Sequence, residues 1–476
     1  MPRQRCFLQV VVAITLTAHA ALAWSAQAVD EPPGTEAVAT ASENAGERLA
    51  LLPPSDFGPP VGRLPSTGGG SATAVPTTAP AGGEGQPWVV KGWIQNSFTG
   101  NPAQPADGMN FGVNPNNLAN RWMGNQYYIY LQRQMLEGGK HGDDFDWGLR
   151  VDSLFGNDWA FTSMTGMLNN VFVTDSFVGW QPVQFYAEAH LPVLLEGGIN
   201  LRFGRWYTII GYEGVPAIGR PLLSVPYMFN YGSPFTHMGA LAEGELNDRV
   251  TIQAGTVNGW DRFLGDPGPY DWGFIGAVTL KNFDGDATKK AGETMLTASM
   301  VWGPNQFPRF LGASEQLYPA GYVNIPSAAG QPNPGYSSNM RTLFATVLQH
   351  RWTDLLTQVV EFDAGWEQNI PGLADGGSST ASANDAWFGL GNWVLYEVTE
   401  HVSLIWRGEW FRDERGSRTG YAGSFYEQTI GTVWKPVNAV WVRPELRFDW
   451  AGGARPYNGG RDMFQVTFGG DVTYVF

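Results

Sequence analysis

From residue 87 to the C-terminus, apolar and polar positions alternate along the chain in repeated short stretches. The last stretch, residues 463–476, shows the design most plainly. Phe464, Val466, Phe468, Gly470, Val472, Tyr474 and Phe476 share one parity. Gln465, Thr467, Gly469, Asp471 and Thr473 share the other, with Val475 the one apolar exception. A period of two marks a β-strand with one apolar and one polar face. About sixteen such stretches of roughly ten residues follow one another, a count good to within two. The connections between them alternate in length. Those at Asn247-Asp248, Thr353-Asp354, Thr399-Glu400 and 436–439 are very short. Those at 211–234, 258–270, 303–340, 368–385, 412–425 and 451–462 are long. This predicts an all-β fold, a transmembrane antiparallel β-barrel with short periplasmic turns and long extracellular loops.

The same alternation separates the two faces. Phe145, Trp147, Leu149, Val151 and Phe155 fall on one parity, and Asp146, Arg150 and Asp152 on the other. Val440, Val442, Leu446, Phe448 and Trp450 likewise oppose Trp441, Arg443, Glu445, Arg447 and Asp449. An Arg or Lys at the bilayer midplane costs about 2–4 kcal/mol, so the charged parity must face the lumen. Trp93, Trp122, Trp272, Trp302 and Trp434 are expected in interfacial girdles. Pro444 lies on the lipid-facing parity and cannot donate a ladder hydrogen bond, which predicts a bulge or irregularity there.

Composition fits the barrel. Only 15% of residues are charged, 13% are aromatic, and there are 61 glycines. A water-soluble domain carries closer to ~25% charged residues. The chain opens with Arg3, Arg5 and an apolar run ending in small residues, which reads as a secretory signal peptide over 1–23, with cleavage as late as 28. Residues 24–86 are a Pro/Gly/Ala/Ser/Thr-rich tether too poor in apolar residues to fold alone. Residues 87–476 form the barrel. The single cysteine, Cys6, leaves with the signal, so disulfides and Cys-based metal sites are excluded. With 44 acids against 29 bases the chain is acidic, and nucleic acid is not a partner.

Several segments together resemble the OmpL-like putative β-barrel porin family (β-barrel porin-2 type). They are Gly92-Trp93-Ile94-Gln95-Asn96, Asp146-Trp147-Gly148-Leu149-Arg150-Val151-Asp152, and Phe203-Gly204-Arg205-Trp206-Tyr207-Thr208 running into Ile209-Ile210-Gly211-Tyr212-Glu213. Tyr231-Gly232-Ser233-Pro234-Phe235-Thr236-His237, Asn258-Gly259-Trp260-Asp261 and Arg443-Pro444-Glu445-Leu446-Arg447-Phe448-Asp449-Trp450 complete the set. The resemblance covers most of 87–476 and implies an outer-membrane porin-like barrel. It supplies no substrate and no catalytic residues. The terminal Tyr474 and Phe476 are similar to the assembly signal read by the barrel-insertion machinery.

Enzyme motifs are missing: there is no His-Glu-x-x-His, Gly-x-Ser-x-Gly or phosphate-cradling loop. His141, His190, His237, His350 and His401 lack metal-ligand spacing, and Asp284-Gly285-Asp286 reads as a solvated turn. No cofactor and no metal are called for. The functional candidates are the charges on inward parities: Arg150, Arg202, Arg407, Arg443 and Arg447 with Asp152, Glu361, Asp363, Glu409, Glu445 and Asp449. They either pair across the wall or protrude and sieve solutes. The connection 211–234, with Tyr212, Glu213, Arg220 and Tyr227, is too apolar to float in water. It either caps the outer rim or folds inward and narrows the channel. Acids in connections (Asp261, Asp266, Asp271, Asp375, Asp385) are expected at the mouth, where salt screens them beyond ~8 Å.

The resulting reading is an outer-membrane porin, a passive channel for small hydrophilic solutes or ions and not an enzyme. Its partners are outer-membrane lipid and the assembly machinery, and a homo-oligomer stays open. The alternatives are a non-conducting structural or surface-interaction barrel and, behind it, a membrane-embedded hydrolase.

Overall fold

The computed structural model describes residues 88–135, 144–162, 164, 167, 178–263, 272–281, 292–304, 340–371 and 382–476. The expected signal sequence and tether, His141, Asp266, Asp271, Asp284, Asp286 and Asp375 lie outside the described residues.

Sixteen strands follow in chain order. They begin with β1 (Trp88–Gly100), β2 (Arg121–Arg133), β3 (Asp146–Gly156) and β4 (Gly179–Leu191). Next come β5 (Ile199–Tyr207), β6 (Thr236–Asn247), β7 (Val250–Val257) and β8 (Gly273–Lys281). The third group is β9 (Thr294–Pro304), β10 (Met340–Arg351), β11 (Leu356–Pro371) and β12 (Ser382–Thr399). The last are β13 (Val402–Asp413), β14 (Gly423–Val437), β15 (Val440–Gly452) and β16 (Phe464–Val475). Each pairs antiparallel with its chain neighbours, and β1 pairs with β16, so the sheet closes into a barrel. Gly92 and Phe476 seal the seam with backbone hydrogen bonds of 2.9 Å in both directions. Closure leaves no edge strand with unpaired N–H and C=O groups, which hydrocarbon does not tolerate.

The faces sort as the alternation predicts. On β15, Leu446 is 40% exposed while its neighbour Arg447 is fully buried. On β16 and the residue after it, Phe464, Phe468, Val472, Tyr474 and Phe476 are exposed, and Gln465, Thr467, Asp471 and Thr473 are buried. Turns and loops also sort by end. Only Asp248 and Arg249 separate β6 from β7, and only Glu400 and His401 separate β12 from β13, whereas β5 and β6 are joined by residues 208–235.

One expectation needs correction, and two others gain detail. Trp93 is not in a girdle: it points inward, is 2% exposed, and stacks on Tyr128 with ring centroids 3.9 Å apart. Trp122, Trp272, Trp302 and Trp434 are exposed as expected. At Pro444 the expected irregularity is a lapse in pairing and not a bulge, since β15 keeps an unbroken register with β16 through Pro444↔Gly470. On the β14 side, pairing lapses between Gly431↔Glu445 and Trp434↔Val442 and resumes in the same register. The missing donor costs ladder bonds without displacing the strand. Finally, the lumen wall is not uniformly polar. Leu241, Val257, Ile275, Ala277, Val301, Leu343 and Ala345 form one buried cluster across β6–β10. Something apolar must cover them from inside.

Candidate functional site

That cover is the connection 208–235, which folds inward as a strap against the barrel wall. Local sequence explains the turn. Gly211 adopts φ +84°, a left-handed conformation, and a Cβ there would lie 2.7 Å from Glu361 Oε1. A larger residue would strain the backbone and strike that carboxylate. Pro216, Pro221 and Pro226 deny the segment the donors of a continuing strand. Its apolar residues then decide where it goes. Ile209 and Ile210 pack into the β6–β10 cluster, and Val215, Ile218, Val225 and Phe229 join a second cluster with Trp93, Tyr128 and Trp441. Throughout 208–235 only Gly214 and Asn230 are even partly exposed.

A strap inside a barrel leaves many backbone polar groups to satisfy, and the wall's charged side chains satisfy them in sequence. Tyr212 N donates to Glu361 Oε2 (3.1 Å) on β11. Glu213 Oε1 accepts from Trp393 Nε1 (2.9 Å) on β12 and Arg407 Nη1 (3.2 Å) on β13. On β2, Gln126 donates to the Val215 carbonyl (2.7 Å) and accepts from Ala217 N (2.9 Å). Arg443 Nη1 on β15 donates to the carbonyls of Ala217 (2.7 Å) and Arg220 (2.8 Å). Leu223 N and Ser224 N donate to Glu445 Oε2 at 2.9 and 3.1 Å. Arg407 donates to the Ser224 carbonyl (2.6 Å) and Arg447 to the Val225 carbonyl (2.7 Å). Tyr227 N donates to Glu409 (2.6 Å), and the Tyr227 hydroxyl to Asp449 (2.9 Å). Ser233 Oγ donates to Asp363 Oδ2 (3.2 Å), and Trp387 Nε1 to the Gly232 carbonyl (3.0 Å).

The chain matches the family described as "Putative beta-barrel porin-2, OmpL-like" over residues 88–476. It belongs to that family. The porin lies in the outer membrane. Its fold is similar to that of an anion-selective porin from Comamonas acidovorans, at 9% identity over 82% of this chain and 99% of that one, with a TM-score of 0.50. It is also similar to Salmonella typhi OmpF in complex with daunomycin, at 8% identity over 82% and 98% of the two chains and a TM-score of 0.50. No curated protein matches the chain.

Within this porin the eleven inward charges divide by role. Glu361, Asp363, Arg407, Glu409, Arg443, Glu445, Arg447 and Asp449 all bond the strap. Arg150, Asp152 and Arg202 instead pair on the wall of β3–β5. Arg150 meets Asp152 at 2.8 Å, and Arg202 meets Glu188 at 2.5 Å while lying 4.4 Å over the Tyr186 ring. Of the strap candidates, Arg220 pairs with Asp158 at 2.9 Å, and Tyr227 and Glu213 are held as above. Tyr212 packs edge-on to Trp393, centroids 5.1 Å apart. Tyr474 and Phe476 stand outward at the seam.

Sequence reasoning missed Gln126, Asp158, Trp387, Trp393 and Glu427, whose roles depend on where the strap lands. It also put Asp261 and Asp385 in water. Both are buried and act as loop clamps: Asp261 accepts from Phe235 N (2.9 Å) and Thr236 N (2.7 Å), and Asp385 from Arg415 N and Ser417 N (both 2.9 Å). Burial pushes the Asp261 carboxyl up to about 6 against the pull of those donors. Burial also raises Glu213, with Arg407 and the Trp393 N–H pulling the other way. Among the described residues no group of three His, Cys, Asp or Glu side chains is set to hold a metal ion.

Proposed function

We propose that this porin is a narrow, non-enzymatic channel for passive passage of small hydrophilic solutes and ions. The observation that carries the reading is the strap, bonded to inward side chains from β2, β11, β12, β13 and β15. A sixteen-strand barrel is wider than its own side chains fill. A segment fixed across that width sets the size limit. The outward apolar band faces outer-membrane lipid, and the exposed Tyr474 and Phe476 at the closing strand suit recognition by the barrel-assembly machinery.

Liposome swelling with sugars of increasing size tests the size limit. Uptake should fall off at small solutes, well below the cutoff of a barrel emptied of its strap. A cutoff as large as that of an open barrel overturns the narrow-channel reading. No permeation at any size makes it a closed barrel working through its outer loops, the reading favoured by the near-complete burial of 208–235.

A further inference from the structure

One patch of the outward face carries polar groups that lipid cannot satisfy. On β12, β13 and β14, Asn392, Gly408 and Gln428 stand side by side in one row of the sheet, paired Asn392↔Gly408 and Gly408↔Gln428. Their chain neighbours Gly391, Trp393, Arg407, Glu409, Glu427 and Thr429 are buried on the lumen side, so the row faces outward. Tyr426, stacked on Trp450 with centroids 5.4 Å apart, stands two residues nearer the extracellular end of β14. Trp434, 48% exposed, stands toward the periplasmic end of the same strand. Gln428 therefore lies within the apolar band that these aromatic residues bracket.

Two other outward carboxamides are satisfied by their own barrel. Asn96 accepts from the Tyr127 hydroxyl (2.7 Å), and Gln358 accepts from Trp352 Nε1 (3.0 Å) while donating to Asn392 Oδ1 (3.1 Å). Gln428 is exposed, and its side chain makes no hydrogen bond among the described residues; the amide nitrogen of Asn392 donates to none of them either. Hydrocarbon offers neither donor nor acceptor, so carboxamides held there lack the bonds that water or protein would give them. Between the two amides the wall is flat. Gly408 has no side chain, and the Trp406 ring lies over it, 2.7 Å from where a Cβ would stand. A flat strip with an amide on each side, about 10 Å apart across two strand spacings, suits a protein surface better than acyl chains.

We infer that this row is the docking face for a second copy of the chain. A carboxamide both donates and accepts, so the patch is complementary to itself. Copies in one membrane share an orientation, and a two-fold axis along the membrane normal near Gly408 sets the Asn392 side of each against the Gln428 side of the other. Each copy then supplies polar partners that the other lacks. The strap and the inward charges take no part, so the inference stands apart from how wide the lumen is.

Sedimentation equilibrium of the full chain in density-matched detergent reads the stoichiometry. Wild type should form dimers. Gln428→Leu should weaken association by about tenfold, while its urea midpoint stays at or above the wild-type value, because the single barrel loses only an unpaired amide. Val278→Ala, an outward substitution on β8, should associate as wild type does. In the outer membrane, with Cys6→Ser as background, a short bis-thiol cross-linker should join coexpressed Asn392→Cys and Gln428→Cys copies and should not join two Val278→Cys copies. A wild type that stays monomeric, or that forms trimers, overturns the two-fold face. So does a dimer that Gln428→Leu leaves intact, since another face then makes it. A lowered urea midpoint in Gln428→Leu also overturns it, by making the amide a structural part of its own barrel.

Discussion

Replacing Arg443 with Met tests whether wall and strap are one structure. Arg443 makes a two-pronged contact with Asp471 (2.9 and 2.6 Å) and donates to the strap carbonyls of Ala217 and Arg220. It is 1% exposed and Asp471 3%. Removing one partner of a buried ion pair costs about 3–5 kcal/mol, mostly from the stranded charge. Here Asp471 keeps two donors, Gln95 Nε2 (2.8 Å) and Thr473 Oγ1 (2.9 Å), so the cost should fall at the lower end, about 3 kcal/mol. Adding Asp471→Asn removes the stranded charge. It should recover all but about 1–2 kcal/mol, the share of the two strap carbonyls left without a donor. The assay is urea unfolding in detergent, followed by tryptophan fluorescence and by the mobility shift of folded barrel on unheated gels. With a slope of about 3 kcal/mol per molar, the single variant should lower the midpoint by about 1 M. A double variant as unstable as the single would refute the stranded-charge argument. A single variant indistinguishable from wild type would mean the strap is not fastened at Arg443.

Three further outcomes follow from the geometry. Leu446→Arg or Phe448→Arg on the outward face of β15 should destabilise the folded barrel by about 2–4 kcal/mol near the midplane, read by the same urea titration, and no cost would invert the face assignment. Deleting residues 474–476 removes the exposed Tyr474 and Phe476 and the Gly92–Phe476 backbone bonds, so the barrel should fail to assemble in the outer membrane; normal yield of folded protein there would refute that role. Asp261 is predicted to make stability fall as pH rises: its folded pKa of about 6 lies above the ordinary 3.8, so the folded state holds the proton more tightly. Its contribution is therefore full below about pH 4 and lost through about pH 6, roughly 2–3 kcal/mol in all, and Asp261→Asn should flatten unfolding profiles between those values.

Much of this architecture is legible in the residues themselves, and the limits have physical causes. A period of two survives any tertiary context, so the faces of β15 and β16 and the even strand count can be read directly. Trp93 misleads because an aromatic residue of a strand suits a girdle and an inward stack equally well; its stack on Tyr128 of β2 shows which it makes. Ile275, Val301 and Leu343 look misplaced on a lumen face until Ile209 and Ile210 return to cover them. The apolar content of the strap demands burial but does not say where. Likewise, Glu361 and Asp363 sum to near neutrality with distant arginines along the chain, yet in space those arginines serve β15 and β16 and the strap's carbonyls. Sequence order carries charge totals, and sectors exist only once the barrel closes.

The central claim is that residues 208–235 cross the lumen and set its width. Single-channel conductance in planar bilayers tests it most directly, comparing wild type with a variant whose residues 212–232 are replaced by a short Gly-Ser linker. Wild type should show a small, steady conductance, and the shortened variant one several-fold larger. Equal conductance in the two proteins would contradict the claim.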